Sequence, residues 1–317
     1  MTEDSALQSL LKRDRAIVLA GPAVGASGLA VGASGLAVDA SGPRQGRVAH
    51  DEARTMTEDS ALQSLLKRDR AIVLAGLAGA TALAWVYLVV TAAGMGDMPA
   101  TMGEAMAMAQ VKPWGAVDFA LMFLMWAVMM VGMMVPSASP MILLFATISR
   151  KQREQGQPFA PTGAFVSGYI AVWTGFSLVA TTLQWALDQA ALLSPMMVST
   201  SPLLGGALLI GAGIYQWTPL KHACLKRCRS PLGFLMRGWR KGAGGAFAMG
   251  LEHGAFCVGC CWILMGLLFL GGIMNLLWIA AIAIFVLAEK AAPFGVPAGR
   301  VSGLLLVLAG LFVVVQS

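Results

Sequence analysis

Three cysteines and a histidine occur close together in one strongly apolar stretch of this chain. His253, Cys257, Cys260 and Cys261 lie in the sequence HGAFCVGCC, within an apolar run at residues 245–270. Thiolates and imidazole bind soft transition metals, and ionisable residues at membrane depth are usually functional. The stretch therefore indicates metal binding or thiol redox chemistry.

Helical geometry limits how these side chains can share a metal ion. At about 100° per residue, the three thiols and the imidazole lie on one face of a helix. Along the axis, however, His253 and Cys261 are about 12 Å apart, too far for one ion with ligand distances of ~2.0–2.3 Å. We expect the helix to supply two ligands at a time, with the others coming from other segments.

A second pair of thiols, Cys224 and Cys228, lies in the basic sequence KHACLKRC at residues 221–228. Cysteines four residues apart face the same side of a helix, and neighbouring cations favour the thiolate form. We interpret this pair as a cytoplasmic entry or exit point for the metal.

Methionine is the third candidate ligand, and the chain contains 20 of them. Thioethers suit Cu(I) because they are soft and do not titrate. The second apolar run is predicted to carry a thioether track with a carboxylate at its outer end, formed by Met122, Met129, Met133 and Asp118. Further methionines at residues 95–108 follow the first apolar run, in an outer loop with no core to fill.

The composition is that of a membrane protein. Of the 317 residues, 57% are hydrophobic and 12% are charged, whereas about a quarter of the residues in soluble domains are charged. This predicts an all-α bundle of about seven transmembrane helices over residues 56–317. The apolar runs occupy about residues 71–93, 117–148, 163–187, 202–217, 245–270, 275–288 and 301–315. In the second run, Pro136 and Pro140 predict a kink or break.

The connections between the runs predict the orientation. Basic residues cluster in alternate connections, which places the N-terminus in the cytoplasm and the protein in a bacterial inner membrane. The same pattern accounts for the net charge of +6, so we exclude nucleic acid as a partner. Residues 1–21 recur as residues 56–76, and we interpret residues 1–55 as a disordered, low-complexity extension with a duplicated start.

Taken together, these motifs resemble a bacterial family of predicted metal-binding integral membrane proteins, a domain of unknown function. The resemblance covers residues 71–315. It rests on MWAVMMVGMMVP at 125–136, YQWTPLK at 215–221, CLKRC at 224–228, GLEH at 250–253, CVGCCW at 257–262 and Glu289-Lys290. It implies a membrane protein with a bound metal, but no particular ion or reaction.

The predicted function is that of an integral membrane protein that binds a soft transition metal, Cu(I) before zinc, and relays or transports it. Two alternatives remain open. Cys257 and Cys260 form a CxxC pair that could exchange a disulfide, as in a membrane thiol–disulfide oxidoreductase. A non-catalytic assembly subunit or a metallochaperone that serves a partner subunit would use the same ligands.

Overall fold

A computed structural model describes residues 70–94, 114–190, 192 and 201–316. These residues contain helices and no strand, which confirms the all-α prediction. The helices are α1 (Arg70–Gly94), α2 (Ala116–Glu154), α3 (Thr162–Gln189), α4 (Pro202–Tyr215), α5 (Pro219–Arg229), α6 (Pro231–Gly238), α7 (Gly242–Gly266), α8 (Leu268–Gly271), α9 (Leu276–Ala291) and α10 (Gly295–Val315). The predicted extension at residues 1–55 and the methionine-rich loop at 95–108 lie outside the described residues.

Five helical segments in the described ranges are long and apolar enough to cross a membrane. They are α1, α2, α3, α7 together with α8, and α10. A sixth crossing results if α4 and α5, which are bent by 63° at their junction, form one broken span. Five or six of the described segments therefore meet this criterion, beside the about seven expected. The difference includes α9, which has 16 residues where a crossing needs about 20.

Helix α2 continues for 39 residues through Pro136 and Pro140, so the predicted break does not occur. Each proline leaves a carbonyl one turn earlier without its usual N–H donor. Trp85 donates its indole N–H to the carbonyl of Gly132 at 3.3 Å. The hydroxyl of Ser139 donates to the carbonyl of Pro136 at 2.8 Å. Side chains thus replace both missing hydrogen bonds, and α2 can remain helical.

Glycines bring two pairs of helices close together. A side chain on Gly250 of α7 would overlap the backbone carbonyl of Phe165 on α3. Likewise, a Cβ on Gly213 of α4 would lie 2.6 Å from the carbonyl oxygen of Gly303 on α10. Small residues at such crossings allow close backbone packing between membrane helices. The first crossing fixes the thiol-bearing face of α7 against α3.

A buried ion pair connects α5 with α9. Lys221 and Glu289 are 1% and 3% exposed, and the ammonium nitrogen lies 2.8 Å from a carboxylate oxygen. Lys221 also donates to the side-chain oxygen of Gln216. Arg229, at the other end of α5, donates to the carbonyls of Glu289 at 2.5 Å and Ala292 at 2.7 Å. These bonds fix α5 along the end of α9.

We expect Lys221→Met to destabilise the protein strongly, because it leaves the carboxylate of Glu289 buried without its cation. Breaking a buried ion pair from one side costs about 3–5 kcal/mol. The double variant Lys221→Met/Glu289→Leu should recover much of this loss, since it removes both charges. The measurement is the thermal midpoint of the purified proteins in detergent. A single variant as stable as the wild type would contradict this role for the pair.

Candidate metal centre

The three cysteines of α7 face the interior of the helical bundle. Cys257, Cys260 and Cys261 are each at most 1% exposed. Cys228 of α5 interacts through its side chain with Cys257 and with Cys260. The sequence suggested a separate cytoplasmic position for Cys228, whereas the folded chain places it beside the thiols of α7. The thiols of two helices therefore meet in one cluster.

Cys224 occupies a different position from Cys228, although both lie on α5. A Cβ built on Gly259 would lie 2.8 Å from the sulfur of Cys224, so Cys224 packs directly on the backbone of α7. The hydroxyl of Tyr215 donates to the carbonyl of the same glycine. Cys224 therefore lies at the edge of the cluster, and Cys228 is the α5 thiol next to Cys257.

Cys257 lies at the centre of the cluster and contacts side chains from two further helices. The hydroxyl of Tyr169 on α3 is 3.1 Å from its sulfur. The ammonium of Lys290 on α9 donates to the same sulfur at 2.9 Å and to the hydroxyl of Ser137 on α2 at 3.1 Å. A cation at this distance attracts the negative charge of a thiolate. The position suits a metal-binding or reactive thiolate.

The other two α7 thiols are directed towards their own helix. The sulfurs of Cys260 and Cys261 lie 3.1 and 2.9 Å from the carbonyl oxygen of Cys257. In the part of the chain that the structure describes, no three His, Cys, Asp or Glu side chains are grouped so as to hold a metal ion. A site in this cluster therefore requires thiol rotation or a ligand of another type.

His253 lies one turn before Cys257 on α7 and is 3% exposed. Its ring stacks on Tyr169 and Phe165, with centroid distances of 5.6 and 6.1 Å, and meets the edge of Phe234 at 5.7 Å. The buried Nδ1 atom has no hydrogen-bond partner among the described residues. An unsatisfied buried nitrogen is costly, so this atom is the one most available to a ligand.

Three of the predicted methionine ligands lie on α2. Met129 and Met133 are buried at 0% and 1% exposure. Met122 is partly buried, and its sulfur accepts a hydrogen bond from Gln184 at 3.7 Å. Met129 and Met133 belong to the hydrophobic core, and Met122 packs against it. The three thioethers thus lie at successive positions in the first half of α2.

Asp118 is remote from the thiol cluster. Its carboxylate accepts a hydrogen bond from the backbone N–H of Gly115 at 2.8 Å, at the start of α2. Sixteen residues separate it from Met134, which corresponds to about 24 Å of helix. In this structure Asp118 caps its own helix.

Two residues of the cluster were not among the predicted site residues. Lys290 could have been selected, because it lies two residues beyond the apolar run at 275–288, and an ionisable residue near membrane depth is a functional candidate by default. Tyr169 has no such signal, since a tyrosine in an apolar helix is ordinary. Its importance depends on α3 packing against α7 through Gly250.

Buried thiols within a bundle of apolar helices define a helical protein with a candidate centre for a soft metal. A family model described as "PpoB2: Copper chaperone" matches residues 123–313, which include all the thiols and their partners. The chain therefore belongs to this copper chaperone family. The assignment agrees with the expected metal-related family and indicates copper as the metal. Neither a curated protein nor a solved structure matches the chain.

The difference between Cys224 and Cys228 can be tested by cross-linking. We expect dibromobimane, which becomes fluorescent when it joins two nearby thiols, to link Cys228 to Cys257 in a variant whose other cysteines are serine. The matched variant that keeps Cys224 and Cys257 should give a much weaker signal, because Cys224 packs on Gly259. Equal fluorescence from the two variants would contradict the arrangement of α5 on α7.

Proposed function

We propose that this chain is a membrane-embedded copper chaperone that binds Cu(I) between α7 and α5 and passes it to a partner protein. The observation that carries the proposal is the group of buried thiols on α7, with the ammonium of Lys290 2.9 Å from the sulfur of Cys257. The partly buried Cys228 of α5 lies beside this group. Thiolates are soft ligands and prefer Cu(I) to hard cations. Membership of the copper chaperone family supports the choice of metal.

Charge balance also supports a Cu(I) site at Cys257. A Cu(I) ion with two thiolate ligands carries one negative charge in total. Lys290, whose ammonium is 2.9 Å from the sulfur of Cys257, supplies one positive charge beside it. A site without net charge avoids much of the cost of burying an ion among apolar helices. Zinc, being divalent, would bring the same ligands and Lys290 to a net positive charge.

The remaining candidate ligands suit transfer between low-coordinate positions. His253 lies one turn from Cys257 with a free Nδ1, and Cys224 lies at the other edge of the cluster. We assign the thioethers of Met122, Met129 and Met133 to the passage of copper along α2, and Asp118 to its outer end. Weak ligands at successive positions along helices favour the exchange of copper over its storage, and a chaperone must release its metal.

We also propose that the protein lies in a bacterial inner membrane with its N-terminus in the cytoplasm. The basic ends of several helices support this orientation. Arg70 of α1 lines a surface pocket together with Arg150 and Arg153 of α2, and Lys241, just before α7, donates to Gln157 at 2.7 Å. Basic residues gathered at one end of a membrane bundle mark its cytoplasmic side.

Removal of three thiols tests the copper site. We expect Cys228→Ser/Cys257→Ser/Cys260→Ser to lose most of its bound Cu(I), because serine oxygen is a poor ligand for a soft ion. The measurement is copper per protein in detergent after dialysis against a Cu(I) chelator, with circular dichroism as a check of helical content. Cys224→Ser is the matched control and should retain most of its copper. A folded triple variant with wild-type copper content would overturn the proposal.

The contact between Lys290 and Cys257 favours one alternative, a thiol–disulfide oxidoreductase, because a neighbouring cation promotes a nucleophilic thiolate. All five cysteines are free thiols in the structure. Alkylation with a mass tag before and after treatment with an oxidant, in copper-free protein, separates the two functions. A reversible disulfide between Cys257 and Cys260 that forms in catalytic turnover with a dithiol substrate would favour the oxidoreductase.

A further inference from the structure

A methionine that was not among the predicted ligands lies against the thiol cluster. The sulfur of Met134 on α2 is 4.0 Å from the sulfur of Cys261 on α7, and Met134 is fully buried. The hydroxyl of Tyr169 donates to the backbone carbonyl of Met134 at 3.1 Å. This bond fixes the backbone of α2 at the point where it faces the thiols.

The separation of the two sulfurs matches a three-coordinate metal site. Three sulfurs placed in a plane about 2.3 Å from one ion are about 4.0 Å from each other. Met134 and Cys261 already have this separation, so an ion can bind between them without movement of α2 or α7. Cys261 also interacts through its side chain with Cys257, which provides the third sulfur from the same helix.

We propose that Met134 is a Cu(I) ligand, together with Cys257 and Cys261, in a position that shares Cys257 with the site between α7 and α5. This inference rests on the proposed copper-binding function and names a ligand of its site. It also fits the lack of any suitable group of three His, Cys, Asp or Glu side chains in the described ranges. A site completed by a thioether needs only two ligands from that set.

The thioether gives the site its selectivity. Two thiolates and one Cu(I) ion carry one negative charge, which Lys290 offsets, and Met134 adds a third ligand without adding charge. A third thiolate would leave an additional negative charge buried in the bundle. Thioether sulfur is also a good ligand for Cu(I), whereas zinc sites use thiolate, imidazole and carboxylate. Met134 therefore favours Cu(I) over zinc.

Selenomethionine labelling makes Met134 directly detectable. In labelled wild-type protein loaded with Cu(I), X-ray absorption at the copper edge should show a selenium neighbour. Met134→Leu, which nearly conserves volume, should lose that neighbour and weaken Cu(I) binding by about tenfold or more. Zinc binding should be unchanged. Met134→Ile serves the same purpose if the leucine variant does not purify as a helical protein.

The matched control is Met141→Leu. Met141 is also buried on α2, at 2% exposure, and follows Met134 by two turns, or about 10 Å of helix. This variant should retain the selenium neighbour and the wild-type affinity. If Met134→Leu also retained both, Met134 would not be a ligand. If copper in the labelled wild type had only sulfur neighbours, the role of Met134 would be overturned and the proposed function would stand. If the wild type bound no Cu(I), the proposed function itself would be overturned.

Discussion

The contact between the ammonium of Lys290 and the sulfur of Cys257 is the interaction around which the candidate site is arranged. Placing a charged lysine among apolar helices costs free energy unless its charge is paired and its N–H groups are hydrogen-bonded. Lys290 meets this requirement with Cys257 on α7 and Ser137 on α2. The hydroxyl of Tyr169 on α3 contacts the same sulfur. One partly buried cation and one tyrosine thus bring residues of four helices together at one thiol, and the cation supplies a positive charge to the site.

The residue before Lys290 organises the other half of the cluster. Glu289 pairs with Lys221 on α5, while Lys290 faces the thiols. Cys228 follows Lys221 by seven residues, which is about two helical turns and returns to nearly the same face. The ion pair therefore fixes the helix that presents Cys228 to α7. Two adjacent charged residues on α9 thus contact both helices that carry the thiols, α5 and α7.

Under the proposed function, this arrangement suits the transfer of copper better than its permanent binding. A structural metal site encloses its ion with a closed set of ligands, whereas the cluster described here offers thiols, a thioether and an imidazole that can be used in different combinations. Ligands of similar softness at neighbouring positions allow an ion to move by replacing one bond at a time. The surrounding apolar side chains keep competing water away from the thiols.

Much of this organisation was predictable from the sequence, because it depends on local periodicity. Hydropathy predicted an all-α bundle, and the 3.6-residue repeat predicted that His253, Cys257, Cys260 and Cys261 share one face but cannot all bind one ion. Hydropathy also located the apolar run at residues 275–288, which the structure describes as the 16-residue helix α9 (Leu276–Ala291). The extension at residues 1–55 and the methionine-rich loop at 95–108 lie outside the described residues and remain predictions.

The sequence by itself determined the helices, their apolar character and the supply of soft ligands. Only the tertiary structure decided which ligands meet. Nothing local distinguishes Cys224 from Cys228, or Met134 from its neighbours on α2, because each pair shares a helix and a similar environment in the sequence. Their different positions depend on how α5 packs on α7 at Gly259 and on the side-chain contact between Met134 of α2 and Cys261 of α7. Both contacts join parts of the chain that are distant in the sequence.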